Sequence, residues 1–113
     1  MELNTFIEQL GSNDSLDFED TMAIIEANYS YTPVSFSNGD QHNEAGTNEG
    51  SCKIFAFAQL NQLSVEQTLA CFGRFYREDV LKNPEGTDHG NIRNFIKHGW
   101  EGVRFDIPAL STK

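Results

Sequence analysis

The chemistry-bearing residues of this chain gather in one stretch, Asn38-Gly39-Asp40-Gln41-His42-Asn43-Glu44-Ala45-Gly46-Thr47-Asn48-Glu49-Gly50-Ser51-Cys52-Lys53. It holds amides, carboxylates, a histidine, a cysteine and a lysine, and no large apolar side chain. The run Ile54-Phe55-Ala56-Phe57-Ala58 follows directly. That run must be buried, so the end of the polar stretch is pinned to the core. A thiol at the first turn of the helix gains from the positive end of the dipole, and Lys53 adds charge, which is how a cysteine becomes a nucleophile when an imidazole is near. His42, His89 and His98 could supply the imidazole only through the fold. The candidate catalytic set is Cys52, His98 and Glu49. The competing reading is that Cys52 fills core space as Cys71 does, the commoner fate of a free cysteine.

Asn43, Glu44, Asn48, Ser51, Lys53 and His89 form the candidate ligand-binding set. Glu44 and Glu49 could serve as acid and base or meet a cation. Alternatively, such a density of Asn, Glu and Thr bonds to its own loop backbone. Gly46 through Lys53 has the look of a phosphate loop, but the spacing is wrong for the P-loop pattern and Glu49 would repel a phosphate. No C-x-x-C or H-x-x-x-H occurs, so no metal site is expected, and no cofactor is implied.

The elements that must position these residues are read from periodicity. Leu3, Phe6, Ile7 and Leu10 mark a short helix stopped by Gly11. Asp17 or Ser15 caps a second helix carrying Phe18, Met22, Ile25 and Tyr29. Tyr31–Phe36 reads as an edge strand, since Pro33 biases Thr32 away from helix. A helix from about Ser51 to Gln62 is apolar nearly all round and should lie at the centre. Ser64-Val65-Glu66-Gln67 is a capping box opening the longest helix, through Val65, Leu69, Phe72, Tyr76 and Val80 to Asn83-Pro84. A last helix carries Ile92, Phe95 and Ile96, and Val103–Ile107 alternates as a strand. The expectation is a single domain over residues 1–113, mainly α, with about five helices around the central one. Pairing of Tyr31–Phe36 with Val103–Ile107 would make it α+β.

The 113 residues carry a formal charge of −9. Residues 1–52 contain no Lys or Arg and ten carboxylates, whereas all eight basic residues lie in 53–113. No basic run provides a nucleic-acid footprint. The acidic half either keeps the protein soluble or faces a protein partner with a basic surface. The longest apolar run is too short to span a bilayer, the start lacks a signal-peptide pattern, and two isolated cysteines suit a reducing cytoplasm.

Several stretches together resemble one family. They are Phe18-Glu19-Asp20-Thr21-Met22-Ala23, Tyr31-Thr32-Pro33, Asn43 through Ala58, Thr68-Leu69-Ala70-Cys71-Phe72-Gly73, and Thr87 through Phe95 with Gly99-Trp100-Glu101-Gly102. Over about residues 17–105 the chain is similar to the HopJ type III effector family. The resemblance implies a small bacterial protein of the kind that type III secretion delivers into host cells, and it carries over no catalytic residues. Two functions follow as expectations. One is a partner-binding effector or regulatory module, and the other is a small cytosolic enzyme or ligand-binding protein using the loop and Cys52. An apolar patch beside the acidic half would favour the first, and a pocket lined by Cys52, a histidine and Glu44 or Glu49 the second.

Overall fold

The computed structural model describes all residues, Met1–Lys113. Five α-helices run α1 Leu3–Gln9, α2 Phe18–Asn28, α3 Glu49–Leu60, α4 Val65–Ala70 and α5 Gly90–His98. A π-helical segment, Phe75–Val80, follows α4, and a 3-10 turn, Gly99–Gly102, follows α5. Five strands of three residues each are β1 Tyr29–Tyr31, β2 Phe36–Asn38, β3 Gln41–Asn43, β4 Val103–Phe105 and β5 Leu110–Thr112.

The fold is α+β, which corrects the mainly α expectation. Two antiparallel sheets form, one with strand order β1-β5 and one with order β3-β2-β4. Phe36 pairs with Phe105 and Asn38 with Val103, so the anticipated contact between the two extended stretches exists at its C-terminal end. Tyr29–Tyr31 instead pairs with the last residues of the chain, Tyr29 opposite Thr112 and Tyr31 opposite Leu110. Tyr29 closes α2 in extended conformation rather than extending its face.

The polar stretch supplies a strand of its own. Asn38 pairs with Gln41 across a two-residue turn. Gly39, at the first turn position, has φ +60°. Glycine there is what a II′-type hairpin turn requires.

A second correction concerns the helix after Ser64. The capping box forms, with Gln67 N–H donating to Ser64 Oγ and Ser64 N–H to Gln67 Oε1. The helix then stops, because Gly73 turns into the left-handed region at φ +59°. The chain resumes as a π-helix in which Leu81 N–H donates to Tyr76 O at 3.0 Å. The longest helix is α3, and it occupies the centre, with Cys52 and Ile54 through Ala58 all buried.

Two aromatic side chains of α3 organise the core. Phe55 meets Phe36 of β2 at 5.9 Å, Phe72 at 5.7 Å, Phe95 of α5 at 5.0 Å and Trp100 at 6.3 Å between ring centroids. Phe57 meets Phe6 of α1 at 6.2 Å and Tyr29 of β1 at 6.0 Å, both edge-on. Burying each such ring contributes about 2–3 kcal/mol before cavity effects. One helix thereby ties the N-terminal helix, both sheets and α5 together.

Candidate functional site

The amides of the polar stretch are spent inside the fold. Asn38 and Asn43 are buried, and both reach Asn91, also buried, in the first turn of α5. Asn38 Nδ2 donates to the Asn91 backbone O at 2.7 Å and to its Oδ1 at 3.0 Å. Asn43 Nδ2 donates to Asn91 Oδ1 at 3.3 Å, and Asn91 Nδ2 donates back to Asn43 Oδ1 at 3.0 Å. Asn48 Nδ2 and Gln41 Nε2 donate to the same Asn43 oxygen at 2.7 and 3.0 Å. Buried amides that lack partners are costly, so this network fixes hairpin, α3 and α5 in one arrangement.

The network has a geometric consequence. Asn48 and His89 are the N-cap residues of α3 and α5, both in left-handed conformation at φ 49° and 50° and neither with a side-chain cap. The two helix starts border one cleft of about 330 Å³, walled by Phe18, Phe72, Phe75 and Ile92. A Cβ at Gly50 would press on the Phe18 ring, whereas one at Gly90 would meet the end of the Gln41 side chain, which can move aside.

Of the sequence candidates, Asn48, Ser51 and His89 line this cleft. Asn43 lies behind it, in the amide network. His89 Nε2 sits 2.9 Å from Asp79 Oδ2, with the ring tilted against Phe75 at 5.3 Å. A carboxylate only accepts, so Nε2 carries a proton and donates to Asp79. The cleft therefore offers a positioned imidazole, a serine hydroxyl and aromatic walls.

The other candidates lie elsewhere. Cys52 is 1% exposed and turned into the core, its thiol donating to Val34 O at 3.8 Å. Burial pushes its pKa up, overriding Lys53, so the accessible thiolate that the helix start suggested is not what forms. His98 packs its ring against Gly39 and its Cβ against Gly102, and its Nε2 is buried without a partner. Lys53 lies with Nζ 4.7 Å from the Tyr31 ring centroid. Glu44 and Glu49 are exposed, and the Glu44 carbonyl closes a turn by accepting from Thr47 Oγ1 at 2.6 Å. No three His, Cys, Asp or Glu side chains converge where they could hold a metal ion.

Sequence reasoning missed Asn38, Asn91 and Asp79 as working residues. Gly39-Asp40 was the available signal, because Gly-Asp between extended segments marks a II′-type hairpin. Asp79 and His89 carried none, since nothing in the spacing foretold a π-helix.

A second concave feature lies where the acidic half meets α4 and the π-helix. A groove of about 380 Å³ runs between the α1–α2 connection and the wall made by α4 and the π-helix. Leu10, Leu16 and Ala70 floor it, and Leu81 stands beside it 53% exposed. Asp14 and Glu66 border it, with Arg77 on the π-helix side.

The architecture defines a small α+β protein with no exposed thiol. The chain belongs to the HopJ type III effector protein family, whose model matches residues 3–110. It is similar over 100% of its length, and over 95% of the other chain, to a crystal structure of a protein of unknown function, VPA0580, at 58% identity and a TM-score of 0.96. No curated protein matches the chain. No helix is long and apolar enough to cross a membrane.

Proposed function

We propose that this HopJ-family protein is an effector-like recognition module, delivered by type III secretion as the family's description implies, that engages a partner with a basic surface through its acidic N-terminal half. One observation carries the reading: five carboxylates of the N-terminal half stay exposed and form no ion pair. Arg74 pairs with Asp17 at 3.0 Å and Glu19 at 2.7 Å, Arg77 lines a groove with Asp14, and Lys53 and Lys113 line a cleft with Glu26. Glu2 at the cap of α1, and Glu8, Asp14, Asp20 and Glu26 on and between the contacting helices α1 and α2, are exposed and form no ion pair. An excess of exposed negative charge raises the encounter rate with a cationic partner and is screened by salt over about 8 Å at physiological ionic strength.

The competing enzyme reading needed Cys52 in a pocket with a histidine and Glu44 or Glu49. The cleft at the loop is lined by none of the three except through His89, so recognition is the better supported function.

The test is binding of the immobilised protein to a Lys/Arg-rich and a Glu/Asp-rich synthetic peptide across a salt series. The expected result is binding of the basic peptide alone, weakening as salt rises. A variant with Gln or Asn at the five unpaired carboxylates should lose most of it. Salt-insensitive binding, or none, would overturn the proposal.

A further inference from the structure

We infer that the groove between the α1–α2 connection and the α4–π-helix wall is the docking site for a basic amphipathic helix of the partner. This rests on the partner-binding reading and adds the place and the form of the contact. An apolar floor with carboxylates at its border is complementary to a helix that presents an apolar ridge flanked by Lys or Arg. Leu10 and Leu16 are buried at the bottom, whereas Leu81 is exposed at the rim, where it loses water only when something covers it. Asp14 and Glu66 lie on opposite walls and would each meet a basic side chain of the incoming ridge.

The form of the partner follows from what builds the walls. Extended peptides bind by adding a strand to a free sheet edge, and no strand residue lines this groove. Recognition here must therefore run through side chains, which is how a helix lies in a groove. Arg77 sets the direction. A cation at that wall suits the C-terminal carbonyls of the incoming helix, where the dipole is negative. The basic side chains then lie toward Asp14 and Glu66.

A different apolar patch serves as the internal control. Leu60 and Ile107, 54% and 59% exposed, border a separate groove with Phe105 and Pro108. Asp106 is the one charged residue lining it, so it lacks the paired acidic walls.

The probe is a synthetic amphipathic helix with a leucine ridge and lysine flanks, compared with a glutamate-flanked version and a proline-broken version of the first. Binding is read by fluorescence anisotropy and by backbone amide shifts of the full chain. The lysine-flanked helix should bind at least about tenfold more tightly than either comparison peptide, with shifts centred on Leu10, Leu16, Ala70 and Leu81. Leu81→Asp should weaken it by about tenfold or more, Asp14→Lys with Glu66→Lys should do the same, and Ile107→Asp should leave it unchanged. Leu81 and Ile107 are exposed, so both single variants should keep the native unfolding midpoint, which is checked alongside.

Salt-dependent binding with shifts on α2 at Asp20 and Glu26, indifferent to Leu81→Asp, would overturn the groove and leave the acidic-half reading standing. Absence of salt-dependent binding by every basic peptide would overturn both. Equal binding of the proline-broken peptide would overturn the helical form. Self-association that Leu81→Asp abolishes would assign the groove to a second copy of the chain.

Discussion

Asn43 and Asn91, separated by 48 positions in the chain, exchange two side-chain hydrogen bonds, at 3.3 Å in one direction and 3.0 Å in the other. Both are at most 5% exposed. A reciprocal amide pair closes only when the hairpin and the start of α5 are correctly placed. It is therefore a lock on the relative position of β3, α3 and α5, and on the cleft between the two helix starts. Asn91→Ala would remove three side-chain hydrogen bonds, although Asn38 Nδ2 keeps the residue-91 backbone O, Asn43 Nδ2 keeps Phe36 O and Asn43 Oδ1 keeps the Asn48 and Gln41 amides. The expected loss is about 2–4 kcal/mol of unfolding free energy. Chemical denaturation checks it, and a loss below about 1 kcal/mol would show that the network is wet and dispensable.

The acid sensitivity of the fold should trace to Asp17. Its carboxylate is held down to about 2, first by the Arg74 backbone N–H, with the Phe18 N–H and the Arg74 guanidinium adding to the effect. Glu19 is lowered too, chiefly by its hydrogen bonds from Arg74. A carboxyl whose folded pKa lies below its unfolded value of about 3.9 contributes stability above that value, and the contribution is lost as pH falls toward 2. Asp17→Asn keeps an N-cap acceptor for α2 but has no proton to take up. The variant should therefore be less stable than the parent at neutral pH and converge with it near pH 2. Urea unfolding between pH 7 and pH 2 reads this directly, and parallel curves for the two proteins would refute it.

Neither thiol should react in the native state. Burial pushes Cys71 up to about 12 and raises Cys52 as well, and both are almost fully enclosed. Alkylation at neutral pH should be slow at both sites and should become fast once the protein unfolds. Each Cys→Ser variant resolves which site reacts. Rapid native modification confined to Cys52 would restore it as a nucleophile candidate.

Much of the helical skeleton is legible in the residues. The apolar spacing of α1, the Asp17 cap, the apolar α3 and the Ser64 capping box are local signals, and the structure realises each. The parts that were not legible depend on distant partners. Tyr29 fits the apolar face of α2, yet it leaves the helix because the last residues of the chain pair with it. The apolar spacing Val65, Leu69, Phe72, Tyr76, Val80 runs on through Gly73 because residues on both sides of the break still bury against the core. The site was read half correctly for the same reason. The stretch 38–53 announces polar chemistry, but whether an amide faces solvent or another amide depends on Asn91. Similarly, the dipole that would activate Cys52 is opposed by burial, which the local sequence does not reveal.

Gly73 and Gly46 together separate backbone strain from packing. Both have positive φ, +59° and +86°, where an L side chain is strained by about 1–2 kcal/mol. Around Gly46 a Cβ would meet nothing within 4 Å, so Gly46→Ala should cost only that strain. At Gly73 a Cβ would collide with Asp17 Oδ1, the Asp17 Cα and the Phe18 backbone N, atoms of the α2 cap rather than the end of a flexible side chain. Relief would require α2 to move away from the turn, breaking the Arg74 N–H···Asp17 Oδ1 bond of 2.9 Å. Gly73→Ala should therefore cost at least about 2 kcal/mol more than Gly46→Ala. It should also return the Asp17 carboxyl toward its ordinary value, because the first cause of its depression is that same N–H. Unfolding midpoints give the first difference, and carboxyl titration followed by NMR gives the second. Equal costs for the two substitutions, with Asp17 unchanged, would show that the turn at Gly73 has room to relax and does not set the position of α2.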